Sequence, residues 1–440
     1  MRVLMVQTPS TESHRSEKVY PLGIVLLAGI ARKTGHEAAV LDMNLHVDAF
    51  GALKERLLDF RPHLVGLSLR NIDPLGNKQT SLVIPFVAAA RLTASLLPGA
   101  VIVAGGAGFS LFPERLMEEA PQIAYGLIGE AEESFPRLLG SLDRPPRLEG
   151  LCRRKGVRVV CVPPARTFDM SAYTPPDRTI LDPAAYAGVN AYVPAMGIEG
   201  KRGCPHSCSY CVYPLLQGRA LRCRRSASIV DEMEILRKEH GIERFHFTDP
   251  VLNAPAGHLE DICRELLRRK LDVRWDGFMR ENMLNEKNVA LFEKAGCECF
   301  SFSPDGLCDQ ALKVLRKGLR QSDILRAARL AARTDVVAVY HFMVNLPGET
   351  EATCAQGMGM IEKLYRIHRG KRNLGTVVLN NVRILPKTAI EAQARAAGVI
   401  GPETDLLYPV YYNPPPFEAL RYRMETLHFC ENVFAWQGMQ

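Results

Sequence analysis

The sequence predicts two α/β units in tandem: an open parallel sheet wound with helices, then a partial (β/α)6 barrel with a short tail. Three observations predict this. Strand-like and helix-like apolar patterns alternate up to Leu142; a proline-rich stretch opening at Arg144–Pro145–Pro146 interrupts them; and a second alternating series begins near Ala191. Such alternation places helices on the faces of a parallel sheet, and ligands at the carboxyl ends of its strands.

Val3–Val6 is a short strand, followed by a loop and an apolar helix from about Leu22 to Gly35. Ala38–Leu41 and Val65–Leu69 are the next strands. A helix from about Leu82 to Leu97 leads to the strand Val101–Ala104 and to Gly105–Gly106–Ala107–Gly108. Tyr125–Ile128 and Gly129–Glu130 precede a helix from Glu132 to Leu142. Residues 143–190, rich in proline and turn formers, read as a linker with a small hairpin over Leu151–Val162. The second series offers six strands: Ala191–Glu199, Arg244–Thr248, Val273–Phe278, Cys299–Ser303, Val336–Asn345 and Thr376–Leu385. Helices such as Ile229–His240, Ala256–Arg269 and Ser322–Arg333 fall between them. Six repeats leave a barrel open on one side, with its active site at the carboxyl ends of the strands. The expected domains are therefore 1–142, the linker 143–190, the barrel 191–398 and an extension 399–440.

A net charge of +7 over 440 residues is modest, and no basic stripe with interleaved aromatics points to nucleic acid. The basic runs Arg219–Arg225 and Arg366–Arg372 suit either anionic cofactors or solvated loops. Of the twelve cysteines none precedes Cys152, and most others sit singly in apolar segments. That pattern suits unpaired thiols in a reducing cytoplasm. The early apolar run Leu22–Ala31 is too short to span a bilayer, and Met1–Val6 lacks the layout of a signal peptide.

The richest chemistry lies in Gly203–Cys204–Pro205–His206–Ser207–Cys208–Ser209–Tyr210–Cys211. Its C-x3-C-x2-C spacing gives an iron–sulfur cluster three thiolates and leaves a fourth iron open, whereas electron-transfer clusters normally take four cysteines. His206 within the motif and Cys223 beyond it keep a structural zinc site as the alternative. The motif follows the first barrel strand, and other strand ends are also polar: Asp249 and Asn253; Asp276 and Arg280; Ser301, Ser303 and Asp305; His341 and Asn345; Asn380, Asn381 and Arg383. Cys297, Cys299 and Cys308 suit core packing better than a second cluster.

From Ala191 to Gly398 the chain resembles the radical S-adenosylmethionine (radical SAM) superfamily. Besides the cysteines, the resemblance rests on Arg224–Arg225–Ser226, Phe247–Thr248–Asp249–Pro250, Asn345–Leu346–Pro347–Gly348–Glu349–Thr350 and Arg383–Ile384–Leu385–Pro386–Lys387–Thr388. It implies a four-iron four-sulfur cluster on Cys204, Cys208 and Cys211, and SAM as cosubstrate, cleaved to methionine and a 5′-deoxyadenosyl radical. It also implies SAM contacts from Tyr210, Asp249, Ser303, Arg224, Pro347 and Gly348, and a reductant protein such as flavodoxin or ferredoxin.

Residues 1–142 resemble the cobalamin-binding, Rossmann-like domains of one radical SAM branch. The resemblance lies in Pro21–Leu22–Gly23, Gly66–Leu67–Ser68–Leu69–Arg70–Asn71–Ile72–Asp73, Gly105–Gly106–Ala107–Gly108 and Gly129–Glu130–Ala131–Glu132. It implies a cobalamin site that includes Leu22, Gly23, Ser68, Gly105, Gly106, Gly129 and Glu130. The Asp-x-His-x-x-Gly motif that ligates cobalt in other cobalamin folds is missing, since Asp42–Met43–Asn44–Leu45–His46 has the wrong spacing. Ser68–Leu69–Arg70–Asn71 is similar to the tryptophan C-methyltransferase branch, where an arginine lies under the cobalt. A guanidinium has no lone pair to donate, so Arg70 would favour low-coordinate cobalt; an ion pair with Asp73 is the alternative. A nicotinamide site at Gly105–Gly108 fits poorly, because the dinucleotide fingerprint belongs at the first strand–helix turn.

The function expected is a methyltransferase acting on carbon of a small metabolite. The same folds leave open cyclisation, rearrangement, oxidation or transfer of another SAM fragment without cobalamin, and also a non-catalytic sensor.

Overall fold

The computed structural model describes residues 1–10, 18–74, 79–142, 148–187, 190 and 193–415. They form two compact units, Met1–Tyr186 with Leu407–Pro409, and Ala187–Leu406 with the chain from Val410.

The first unit runs β1 (Arg2–Gln7), α1 (Leu22–Lys33), β2 (Glu37–Asp42), α2 (Ala49–Phe60), β3 (Leu64–Ser68), α3 (Val83–Leu96), β4 (Val101–Gly105), α4 (Ala107–Leu111), α5 (Pro113–Glu119), β5 (Tyr125–Leu127), α6 (Ser134–Leu139), β6 (Leu151–Lys155) and β7 (Arg158–Cys161). Its seven strands lie in the order β2-β1-β3-β4-β5-β6-β7. The first five are parallel. Val3, Leu4, Val6, Leu64 and Val65 are fully buried, as strands covered by helices on both faces require. Helix α1 buries Ile24, Val25, Leu26 and Ala28 and closes on Arg32 and Lys33, whose charges favour its carboxyl end.

The stretch expected as a linker, 143–190, largely joins this unit. Strand β6 pairs antiparallel with β5, Leu151 opposite Leu127, so the hairpin extends the sheet. Tyr186 then donates its hydroxyl to Asp42 Oδ2 at 2.6 Å, and Tyr20 donates to the Leu181 carbonyl at 3.0 Å. The expectation of unpaired cysteines is corrected here as well. Cys152 and Cys161 face each other across β6 and β7 and form a disulfide.

The second unit opens with β8 (Gly197–Ile198), β9 (Lys201–Arg202), α7 (Tyr213–Gln217), β10 (Arg222–Cys223), α8 (Ser226–His240), β11 (Arg244–Phe247), α9 (His258–Arg269) and β12 (Arg274–Met279). It continues with α10 (Glu286–Lys294), β13 (Cys297–Asp305), α11 (Asp309–Val314), α12 (Gln321–Ala331), β14 (Val337–Met343), α13 (Glu351–His368) and β15 (Leu374–Asn380). Strands β16 (Val382–Arg383) and β17 (Tyr411–Tyr412) flank α14 (Ala389–Ala396). Six parallel strands in the order β8-β11-β12-β13-β14-β15 make the partial barrel.

Strand alternation divides its two faces. Phe247, Trp275 and Phe292 meet edge to face, and Phe300, Phe302, Tyr340 and His368 form a second aromatic chain. Since Phe292 and His368 lie on α10 and α13, this is the helix-facing core. The opposite face carries His246, Asp276, Phe278 and His341, with His246 Nδ1 2.6 Å from Asp276 Oδ1 and Phe278 against His341.

Two expected strands are shorter than their apolar runs. Ala191–Glu199 reduces to Gly197–Ile198, with 191–192 outside the described residues. The chain turns at Gly200, whose amide is held by Asp249 Oδ1 at 2.7 Å. Thr376–Leu385 breaks after Asn380, and β16 leaves the barrel to pair antiparallel with β17.

Candidate active site

The cluster loop hangs from the ribbon β9–β10, which pairs Arg202 with Arg222 and Lys201 with Cys223. Gly203 sits at φ +86°, and a Cβ there would strike the Ala220 carbonyl. The Cys204 amide donates to the Gly218 carbonyl at 3.1 Å. In mid-loop the Ser209 amide donates to the Leu315 carbonyl and the Ser209 carbonyl accepts from the Ile390 amide, both at 2.9 Å. The loop is thus tied to its own ribbon, to the segment after α11 and to α14.

Its three thiols are free, Cys204 buried and Cys208 and Cys211 half-buried. They are close enough to oppose one another's ionisation. Burial, then the neighbouring thiols, pushes Cys211 up to about 12; burial likewise raises Cys208, with Cys204 adding to it. Binding to a cationic centre must therefore displace protons. Among the described residues no three His, Cys, Asp or Glu side chains gather around a single-ion position. Three thiols on one short loop, each opposing the others' ionisation, are the donor set of a four-iron cluster with one iron left open. Cys223 has Lys201 and Asp249 as its charged neighbours, and burial with Arg280 and Lys317 lowers His206 to about 4. Cys297, Cys299 and Cys308 do not form a second set: Cys297 and Cys299 are buried within β13, and Cys308 accepts the Ala311 amide at the start of α11.

Beside the loop lies a polar network that motif reasoning found only in part. The Tyr210 hydroxyl donates to Asp305 Oδ2, Ser303 Oγ donates to Asp305 Oδ1 at 2.9 Å, and Lys317 Nζ meets Asp305 Oδ2 at 2.5 Å and the Tyr210 oxygen at 3.1 Å. A register shift between Phe302 and Asp305 and a left-handed Asp305 (φ +64°) turn that carboxylate toward the loop. Burial disfavours the Lys317 charge, but Asp305 outweighs it and raises the ammonium's pKa. Lys317 and the neighbouring Glu281 belong to no motif, and Lys317 meets its partner only because the chain returns after α11.

Glu281 is 1% exposed, and its Oε1 has no hydrogen-bond partner. Burial raises it from the ordinary 4.5 to about 7. A raised carboxyl binds its proton more tightly folded than unfolded, so this group's contribution to stability falls as pH rises from 4.5 to about 7. At ~1.4 kcal/mol per pH unit the loss is on the order of 3 kcal/mol. Glu281→Gln should melt higher than the parent at pH 8 and close to it at pH 5; equal differences at both pH values would contradict this.

Two of the expected SAM contacts already have partners within the protein. Arg224 is 3% exposed, pairs with Glu232 at 2.8 Å and donates to the Glu199 carbonyl at 2.7 Å. Asp249 has a fully buried side chain, accepts from the Gly200 and Lys201 amides at 2.7 and 3.0 Å, and faces Lys201 Nζ at 3.1 Å. Both side chains are engaged inside the packing beside the loop, where they hold the turn and the ribbon that carry it. Pro347 is half-buried and Gly348 exposed, with the Gly348 carbonyl accepting from Gln310 at 2.9 Å.

In the first unit the small residues collect at the carboxyl edge of the sheet. Ser68 ends β3 and Gly105 ends β4, each half-buried. Gly129 donates to Ser110 Oγ, which donates to the Gly106 carbonyl, both at 2.9 Å. Gly106 stands at φ +102° because a Cβ would meet the Leu69 backbone, so its own chain already requires glycine there. Leu22 and Gly23 open α1, and nothing lies within 4 Å of a Cβ built on Gly23. Glu130 accepts the Phe168 amide at 2.5 Å. Arg70 follows β3 with its side chain exposed, and its carbonyl accepts the Gly108 amide at 2.9 Å. Small side chains at this edge, with open space beside Gly23, fit the approach of a bulky planar cofactor. Asp42, by contrast, is tied to Asn44 and Tyr186 in a 3-10 turn, and Asn44 stands two residues after it, where the missing motif has its histidine.

The family model "B12 binding domain" matches residues 13–139, and "Radical SAM superfamily" matches residues 198–356. The chain is 25% identical to an uncharacterized methyltransferase of Pyrococcus horikoshii over 83% of its own length and 78% of the relative's. It is 27% identical to the tryptophan 2-C-methyltransferase of Streptomyces laurentii, over 76% of this chain and 66% of that protein. The fold superposes with a TM-score of 0.77 on the radical S-adenosylmethionine methyltransferase TsrM of Kitasatospora setae, solved with tryptophan and a SAM analogue (24% identity, 92% and 79% covered). Among the described residues no helix is long and apolar enough to cross a membrane. The chain therefore belongs to the cobalamin-binding branch of the radical SAM superfamily, an enzyme with a four-iron four-sulfur cluster, S-adenosylmethionine and cobalamin as its cofactors.

Proposed function

We propose that the protein transfers a methyl group from SAM to a carbon atom of a small metabolite. The observation that carries this is the presence, in one chain, of three free thiols on a barrel loop and a small-residue sheet edge lacking the Asp-x-His-x-x-Gly motif. Bound cobalamin would supply a methyl carrier, and the cluster an iron that grips SAM. Cys204, Cys208 and Cys211 hold the cluster; Tyr210 and Ser303, fixed by Asp305, together with Pro347 and Gly348 border the SAM site. The edge formed by Leu22, Gly23, Ser68, Gly105, Gly106, Gly129 and Glu130 receives cobalamin, with Arg70 toward the cobalt. A guanidinium there would offer no electron pair, which favours the low-coordinate metal. A small acidic reductant protein of the flavodoxin or ferredoxin kind supplies electrons.

Relatives named as methyltransferases support this reading. Its test is anaerobic incubation of the loaded enzyme with methyl-labelled SAM and fractionated metabolites. Label should appear on carbon of one product; 5′-deoxyadenosine without labelled product would favour a rearrangement or cyclisation. Arg70→Lys should shift the absorption and paramagnetic spectra of bound cobalamin while leaving iron content unchanged. Identical spectra would remove Arg70 from the cobalt site.

A further inference from the structure

The two chain segments that flank the cluster loop carry an uneven charge. Residues 204–225 hold Arg219, Arg222, Arg224 and Arg225, and residues 310–322 hold Lys313, Arg316, Lys317 and Arg320; neither contains Asp or Glu. The Ser209–Leu315 and Tyr210–Lys317 hydrogen bonds join these segments at the cysteines. Arg224 and Lys317 serve Glu232 and Asp305, but Arg219, Arg225, Lys313, Arg316 and Arg320 are exposed. Among the described residues no salt bridge engages Lys313, Arg316 or Arg320. They line an open depression of about 500 Å³ with Leu312, Leu319 and one carboxylate, Asp309. On the cysteine side, Tyr213 and Leu215 are 42% and 52% exposed, beginning two residues after Cys211. A shallow, cationic depression tied by backbone and side-chain hydrogen bonds to the cysteine loop suits an anionic macromolecular partner better than an enclosed substrate.

We infer that this face docks a small acidic one-electron carrier protein; the inference rests on the cluster assignment above and names where its electron arrives. Redox encounters use small interfaces and weak affinity, and rely on complementary charge to raise the association rate. One electron leaves the reduced carrier and lowers the cluster's charge state by one; no atom is exchanged, and SAM cleavage later consumes that electron.

The test uses the full cluster-loaded chain, reduced flavodoxin as probe, and photoexcited 5-deazariboflavin as an uncharged reductant. In Lys313→Glu/Arg316→Glu, cluster bleaching by flavodoxin at low salt should slow about tenfold or more, and flavodoxin affinity should weaken similarly. Bleaching by deazariboflavin should stay as in the parent. Arg320→Glu should act in the same direction, and raised salt should slow the parent toward the variants. Flavodoxin rates and affinities indifferent to both charge reversal and salt would overturn the inference. So would variants that only dissociate an oligomer, since the face would then belong to a second copy of the chain. If bleaching behaves as expected while no label leaves SAM, the methyl-transfer proposal fails and the docking face stands.

Discussion

Replacing any one of Cys204, Cys208 or Cys211 with alanine should lower bound iron from about four atoms per chain to below about one, and reduce SAM-dependent turnover to background. The loop offers three thiolates, and among the described residues no other cysteine stands beside them as a substitute. Cys223, the nearest further thiol in sequence, faces Lys201 and Asp249 across the ribbon. Among the described residues the remaining free cysteines outside the loop are buried. Thermal stability should change little, because Cys208 and Cys211 are half-buried in a loop held by backbone bonds at Cys204 and Ser209. Iron and sulfide analysis after anaerobic reconstitution, beside a melting curve, separates ligand loss from unfolding. A Cys208→Ala protein retaining near-parental iron would contradict the ligand set.

The second large effect belongs to a buried ion pair beneath the loop. Lys201 and Asp249 have side chains with 0% exposure and lie 3.1 Å apart, and Lys201 Nζ also donates to the Leu252 carbonyl at 2.6 Å. Truncating one member strands the other's charge away from water, at a cost of about 3–5 kcal/mol. For a unit of this size that lowers the melting temperature by roughly 10 °C. Asp249→Ala has a further consequence, since it frees the Gly200 and Lys201 amides and loosens the turn that delivers Gly203 and Cys204. Its iron content should therefore fall with its stability. The double variant Lys201→Met/Asp249→Leu should recover much of the loss, because neither charge then remains to be desolvated. Additive destabilisation in the double variant would show that the pair is not coupled as described.

The sheets were legible because their apolar runs are long and regular. β1, β3, β4 and β11 to β14 coincide with such runs, and the cysteine spacing located the loop without any tertiary information. What was hidden depends on contacts distant in sequence. The hairpin at Leu151 looked like part of a linker, since nothing local reveals that Leu127 is its partner. The Cys152–Cys161 disulfide follows from that same hairpin register. Asp249 and Arg224 stood where SAM contacts were expected, yet each found a buried partner, Lys201 and Glu232, that no motif names. Lys317 escaped for the converse reason: its partners Asp305 and Tyr210 are brought to it by the β13 bulge and the cluster loop.

The measurement that bears most directly on the account is low-temperature paramagnetic resonance of the reduced, anaerobically reconstituted chain, recorded with and without SAM, alongside iron, sulfide and cobalamin analysis. The account predicts about four irons and four sulfides with one cobalamin per chain, and a cluster signal that shifts when SAM binds its open iron. A single tetrahedral metal ligated only by side chains, or a four-iron signal unmoved by SAM, would contradict it.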